Sequence, residues 1–350
     1  MVRRRAWVGS VVALFFASGA SWVEGCVGDS STPTDGGGPD TTTDTNNNPD
    51  TSTNDAGVDA PTDADAAPAP FCTPTKAFGP VTLVPTFGNA DSGSSGARLT
   101  NDSLTIYYAA NPSAALNGLI QTASRASLAA QFNTPVPVAA LSDAGISGLD
   151  PSISPDGLTL YTQFNPSNFV EVMYATRLSA DAGFSTPTGV TGLSGAAPNH
   201  GSPFLQGDNS TLFYAARVSP DGGATQGGGS LDIFYGSITG QGQFSNVLPE
   251  NELNTTFDET SPAITPDGLT IYFARKEGAD GGSSGTFHVY TATRGAKNDP
   301  FPTPTLVPEL DDMPTTNTSP TWISPDTCVI WLQSDRGGPA GGIYTATKPL

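Results

Sequence analysis

Basic residues are scarce in this chain. Fourteen Lys and Arg stand against thirty-three Asp and Glu in 350 residues, a formal charge of −19. That balance repels phosphate backbones and argues against nucleic acid as a partner. It favours solubility outside the cell and leaves weak cation binding open. Amphipathic helical patterning is also missing: beyond the N-terminus no segment sustains it over three turns. With forty Gly and thirty-one Pro, this points away from a helical protein and towards short strands joined by turns. There are only two histidines, His200 and His288, and seven Glu. No zinc motif, nucleophile elbow or Cys/His pair is present, so the common metal and covalent hydrolytic chemistries find no support here.

What the chain does have is repetition. SPAITPDGLTIYFAR at Ser261 is echoed by SISPDGLTLYTQ at Ser152, RLTNDSLTIYYA at Arg98, FLQGDNSTLFYA at Phe204 and WISPDTCVIWLQ at Trp322. Each copy is an apolar run, a turn built on Pro-Asp-Gly or a relative, and a second run of period two, which is a β-hairpin. An aromatic marks each second run: Tyr107, Tyr161, Phe213, Tyr272 and Trp331. Five residues before each stands an Asp: Asp102, Asp156, Asp208, Asp267 and Asp326. A third strand follows as IQTASR, MYATR, DIFYGSI, VYTATR or IYTATK. A fourth reads as Phe with an apolar residue nine on, in the pairs Phe132/Leu141, Phe184/Leu193, Phe244/Leu253 and Phe301/Leu310.

Four strands per unit is the content of one propeller blade. The last unit ends at IYTATKPL without a fourth strand, and the missing pair stands ahead of the first hairpin as Phe78/Phe87. The expected fold is therefore all-β: a five-bladed β-propeller of four-stranded blades over 71–350. Its N-terminal strand, Phe78 to Phe87, completes the C-terminal blade beside Ile343 to Thr347. Closure removes the open edges that would template aggregation.

The quoted SPDGLTLY, TPDGLTIYF and IYTATR motifs resemble the WD-like propeller repeats of TolB-type proteins of bacterial envelopes, over about 280 residues. The resemblance implies a propeller, and it implies little about function, because the shared residues are those of turns and strand cores. TolB-type domains usually have six blades, and nothing here matches their separate N-terminal domain.

The first twenty-five residues read as an export signal: Arg3, Arg4 and Arg5, then an apolar stretch from Val8 to Ala20 that is short for a membrane span. The arginines leave both general and twin-arginine export open. Val23-Glu24-Gly25-Cys26 resembles a lipoprotein cleavage box, with Cys26 as the acylated first residue of the mature chain. Residues 27–70 hold nine Asp, no Lys or Arg and no aromatic, the composition of a disordered tether. The expected product is an outer-membrane lipoprotein, monomeric and held to the membrane by its lipid alone. Cys72 and Cys328 both fall in the blade that the two chain ends build. A disulfide between them would tie that blade shut; the alternative is a buried thiol and a loose terminus.

Connections from one blade's outer strand to the next blade's inner strand carry polar residues towards the channel mouth. Asp150, His200, Asp258, Glu259 and Asp312 are the candidate binding residues of that ring. Gly-rich loops at Ser219 and Gly278 would form its rim, and no cofactor is expected beyond weak cation binding at the mouth. Turn residues bonding their own backbone would give the same composition. Two functions fit: a non-enzymatic module binding a glycan or an envelope protein, and a glycoside hydrolase of the five-bladed type. The hydrolase needs at least two of Asp150, Asp258 and Glu259 to share one funnel.

Overall fold

The computed structural model describes residues 72–87, 93–110, 118–145, 148–164, 170–193, 200–217, 230–277, 285–313, 315–339 and 341–350, all within a unit spanning Asp65–Leu350. The leader, Cys26, the tether and both Gly-rich loops lie outside the described residues. Among the described residues twenty strands form five four-stranded antiparallel sheets. The chain enters through β1 (Thr82–Leu83) and then makes blade 1 from β2 (Ser94–Leu99), β3 (Thr105–Ala110), β4 (Leu119–Ser124) and β5 (Val136–Pro137). Blade 2 is β6 (Gly148–Ile153), β7 (Thr159–Phe164), β8 (Glu171–Thr176) and β9 (Thr188–Gly189). Blade 3 is β10 (His200–Leu205), β11 (Thr211–Arg217), β12 (Leu231–Gly240) and β13 (Gln243–Pro249). Blade 4 is β14 (Asp258–Ile264), β15 (Thr270–Glu277), β16 (Thr286–Thr293) and β17 (Thr305–Leu306). Blade 5 is β18 (Thr318–Ile323), β19 (Val329–Ser334) and β20 (Gly342–Thr347), and β1 is its outer strand.

Closure is as the sequence predicts. Thr82 and Leu83 pair with Thr345 and Tyr344. The contact extends through Thr73 N–H to Pro349 O, Gly79 N–H to Thr347 O and Val84 N–H to Ile343 O. Cys72 and Cys328 are disulfide-bonded, with Cα atoms 5.7 Å apart and a sequence separation of 256. Phe87 then reaches into blade 1, with its ring 4.9 Å from Tyr108 and 5.3 Å from Phe132. The core is thus a series of aromatic and aliphatic layers between neighbouring sheets, and inner strands such as β2 are buried along their whole length.

Two local devices repeat. In the hairpin turns, Asp102 Oδ1 accepts the Leu104 N–H at 2.9 Å, and Asp156, Asp208, Asp267 and Asp326 do the same for Leu158, Ser210, Leu269 and Cys328. The aspartate bonding its own backbone two residues on is what makes this tetrapeptide turn. The second device is a staple. Arg125, Arg177 and Arg294, which end the third strands, lie 4.6, 4.6 and 4.2 Å over the rings of Phe132, Phe184 and Phe301. Each Nε donates to a turn carbonyl: Ser103, Gly157 or Gly268. In blade 5 Lys348 lies over Phe78 at 4.8 Å, and its Nζ donates to Pro74 O instead of to the hairpin turn.

The fourth strands differ from expectation. Four of the five pair over only two residues, and β13 alone is long. The Phe and the apolar residue nine on are anchors: Phe132, Phe301, Leu141 and Leu310 are buried on either side of a brief pairing. Proline is the physical reason. Pro135, Pro137, Pro304 and Pro308 fall in or beside these segments, and each removes a ladder donor.

Candidate functional site

The inner strands of blades 1 to 4 each carry a bulge whose extra residue has left-handed backbone: Gly96, Asp150, Ser202 and Ser261, with φ between 46° and 63°. Asp150 is therefore part of β6 rather than of the connection before it. Three of these bulge residues precede a proline, in Asp150-Pro151, Ser202-Pro203 and Ser261-Pro262, where extended backbone is the ordinary preference, so nothing in the sequence signals the left-handed turn. The bulge turns the Asp150 carboxylate towards the ring axis, where Oδ2 accepts the Ser202 hydroxyl at 2.8 Å. Ser202 Oγ also lies 3.1 Å from Thr260 Oγ1, so blades 2, 3 and 4 are linked through one polar chain. On blade 1 the counterpart is Arg98, buried and stacked 4.9 Å over the Phe204 ring. Burial pulls its guanidinium down to about 10, opposed by the Asp150 charge. Its Nε and Nη1, and Thr321 Oγ1 on blade 5, have no hydrogen-bond partner among the described residues.

The other candidates are engaged individually. Glu259 is fully buried; it accepts from the Thr255 N–H at 3.0 Å and the Thr255 hydroxyl at 2.5 Å, and pairs with Arg275 Nε at 2.8 Å. Burial pushes its carboxyl up, against the pull of those partners. Asp258, its neighbour along β14, accepts the Leu231 N–H of blade 3 at 2.8 Å. Asp312 pairs with Arg336 Nη1 at 2.8 Å and remains largely exposed. His200 opens β10, donating its backbone N–H to Val170 O and setting its ring edge-on to Tyr214 at 5.6 Å. Asp150, Asp258 and Glu259 thus hold separate partners.

Two constellations escaped the sequence. Asp232, in β12, has its carboxyl pushed up to about 6 by burial, helped by the nearby Asp258 charge. This pair spans blades 3 and 4 and has no local motif, because the residues meet only through the ring. His288 sits between Thr286 Oγ1, 2.8 Å from Nε2, and Asp311 Oδ1, 2.6 Å from Nδ1. Only alternation along β16 hints at the first contact, and nothing in the sequence hints at the second. Among the described residues no group of three or more His, Cys, Asp and Glu is arranged to hold a metal ion.

Cavities open on the face that carries the hairpin turns, opposite the acidic ring. One of about 520 Å³ lies between blades 5 and 1, against Trp322, Trp331 and Phe132. Another, of about 800 Å³, lies between blades 1 and 2 around Tyr107 and Arg177. On the axis, residues of all five blades enclose about 40 Å³ beside Arg98.

No protein-family model and no curated protein sequence matches the chain. Solved structures do. The GH43_1 enzyme from Xanthomonas citri superposes with a TM-score of 0.50 at 11% identity, over 76% of this chain and 90% of that one. A thermostable family-43 glycoside hydrolase gives 0.49 at 11%, over 76% and 91%. TolB from Acinetobacter baumannii gives 0.41 at 13%, over 74% of this chain, which spans only 55% of that one. At such identities the likeness speaks to the fold alone.

Proposed function

We propose that this protein is a non-enzymatic binding module of the bacterial cell envelope. In this reading it is exported, acylated at Cys26 and held by residues 27–70 at the outer membrane, where its propeller binds a glycan or another envelope protein. The observation that carries the non-enzymatic reading is the engagement of the ring carboxylates. Glycoside hydrolysis needs two carboxyl groups facing one bond, about 5 to 10 Å apart. Glu259 is consumed by Arg275 and Thr255, Asp258 by a backbone N–H, and Asp150 by Ser202. The chain's acidity supports a partner other than nucleic acid.

The test is to immobilise the purified protein and measure both retention of envelope glycans and proteins and turnover of aryl-glycoside and oligosaccharide substrates. Retention with turnover at background is expected. One observation favours the hydrolase alternative: Asp232 keeps its proton to about pH 6 next to Asp258, the disposition of a general acid beside a base. Turnover that vanishes in a folded Asp232→Asn variant would establish that alternative and overturn the proposal. The envelope address has its own measurement. Mass spectrometry of the mature N-terminus should find an acylated Cys26, and an unmodified chain starting elsewhere removes the anchor.

A further inference from the structure

The chain holds four tryptophans, and the two within the propeller, Trp322 and Trp331, both line the cleft between blades 5 and 1. They are cross-strand partners on β18 and β19. The same register position in the other blades pairs Arg98 with Tyr107, Ser152 with Tyr161, Phe204 with Phe213 and Ala263 with Tyr272. The tryptophan pair is therefore peculiar to this junction, where both rings pack into the core and only 8% of Trp322 and 4% of Trp331 stay exposed at the cleft. Phe132 meets Trp331 edge-on at 6.3 Å, and Leu128, 54% exposed, stands at the mouth.

The rim has one chemical character. Asp102 and Asp326 both line it, and each uses Oδ1 for its own turn, while Oδ2 accepts no hydrogen bond from the described residues. The Asn101 and Gln131 amides are exposed on the same rim. Arg125, the one basic residue in the lining, has Nε and Nη1 committed to the carbonyls of Ser103 and Leu128. An apolar wall, made by Leu128 and the small exposed part of the aromatic side chains, under an acceptor-rich, anionic rim suits a ligand with an apolar C–H face and many hydroxyl donors.

We propose that this cleft is a sugar-binding site. A pyranose ring lies against Leu128 and the exposed part of the tryptophans, its hydroxyls donate to Asp102 and Asp326, and the carboxylates admit neutral or amino sugars while repelling uronic acids. The volume of about 520 Å³ suits a short oligosaccharide, small-molecule sites spanning roughly 300–1,000 Å³. A peptide is disfavoured because β19 and β20, which wall the cleft, are each paired on both sides and offer no edge for strand addition. The proposal rests on the binding-module reading and places the ligand on the turn face rather than at the acidic ring.

The full chain with Trp7→Phe and Trp22→Phe isolates the emission of Trp322 and Trp331. It should be titrated with trisaccharides of glucose, xylose, N-acetylglucosamine, glucosamine and galacturonic acid, and with a Lys-rich peptide. A saturable emission change is expected with at least one neutral or amino sugar and none with the galacturonate. Gln131→Ala should raise that Kd at least tenfold without moving the melting temperature, and Asp326→Asn, which keeps an Oδ1 for the turn, should do so in a protein that still folds. The proposal is overturned if no sugar changes the emission, if the galacturonate binds as well as the neutral sugars, if only the peptide binds, or if both variants bind as the parent does. Glycan retention on immobilised protein, with no emission change and no effect of the variants, would sink this site and leave the binding module standing. Retention of nothing at all would sink both.

Discussion

Thr327 occupies the left-handed corner of its hairpin turn at φ 59°, where blades 2 and 4 place Gly157 and Gly268 at φ 72°. A β-branched residue is strained in that region, and its side chain makes no hydrogen bond among the described residues. Thr327→Gly should therefore stabilise the domain by about 1 kcal/mol, whereas Asn209→Gly, starting from a residue that tolerates the corner, should be close to neutral. Thermal or urea unfolding distinguishes the two. Glu250 is a similar exception. It is buried where the other four blades carry Val84, Val138, Val190 and Val307, whose N–H bonds the same third-strand carbonyl position. Burial raises the Glu250 carboxyl above 4.5, so the folded state holds that proton to higher pH than the unfolded chain. Its contribution is complete below pH 4.5 and is lost as pH rises through the folded value. Glu250→Val should raise stability by about 1 kcal/mol at pH 7 and flatten that decline, which denaturation between pH 4 and 7 would show. Site residues were less legible in sequence than these. Asp150 belongs to a bulge and Glu259 to a buried ion pair, and in both cases the partner lies on another strand or another blade.

The basic residue that closes a third strand is visible in every motif except that of blade 3, yet sequence gives no reason for it. The structure does: the guanidinium stacks on the Phe seven residues on and ties the hairpin turn to the fourth strand. Arg177→Ala removes the stack on Phe184 and the bonds to Gly157 O and Ala180 O. A loss of about 1–2 kcal/mol is expected. Arg177→Lys should recover only part of it, because Lys lacks the fork that serves two carbonyls. Equal losses for Ala and Lys would show that the stack is incidental. The fourth strands teach the complementary lesson. Their Phe and apolar anchors were readable, but the pairing between them shrinks to two residues because proline leaves few donors to pair.

At the scale of the whole molecule the architecture was the most legible feature, since a repeat split between the chain ends has one simple closed solution. Phe78, Phe87 and the cysteines gave its position, and β1 pairs with β20 as that solution requires. Cys72→Ser should destabilise the propeller by about 2–5 kcal/mol, with Cys328→Ser giving a similar loss and the double variant little more. Strongly additive losses would mean that the thiols act separately. The same bond decides how the domain bears load. A pull on the N-terminus enters at Cys72 and passes covalently to Cys328, so β1 and blades 1 to 4 drop out of the force path towards Leu350. Stretched between its ends in an optical trap, the oxidised protein should release only the short segment after Cys328. Reduction should let the ring unzip from β1 onward, at lower force and over many times the extension. The ring is in this way fastened at its seam.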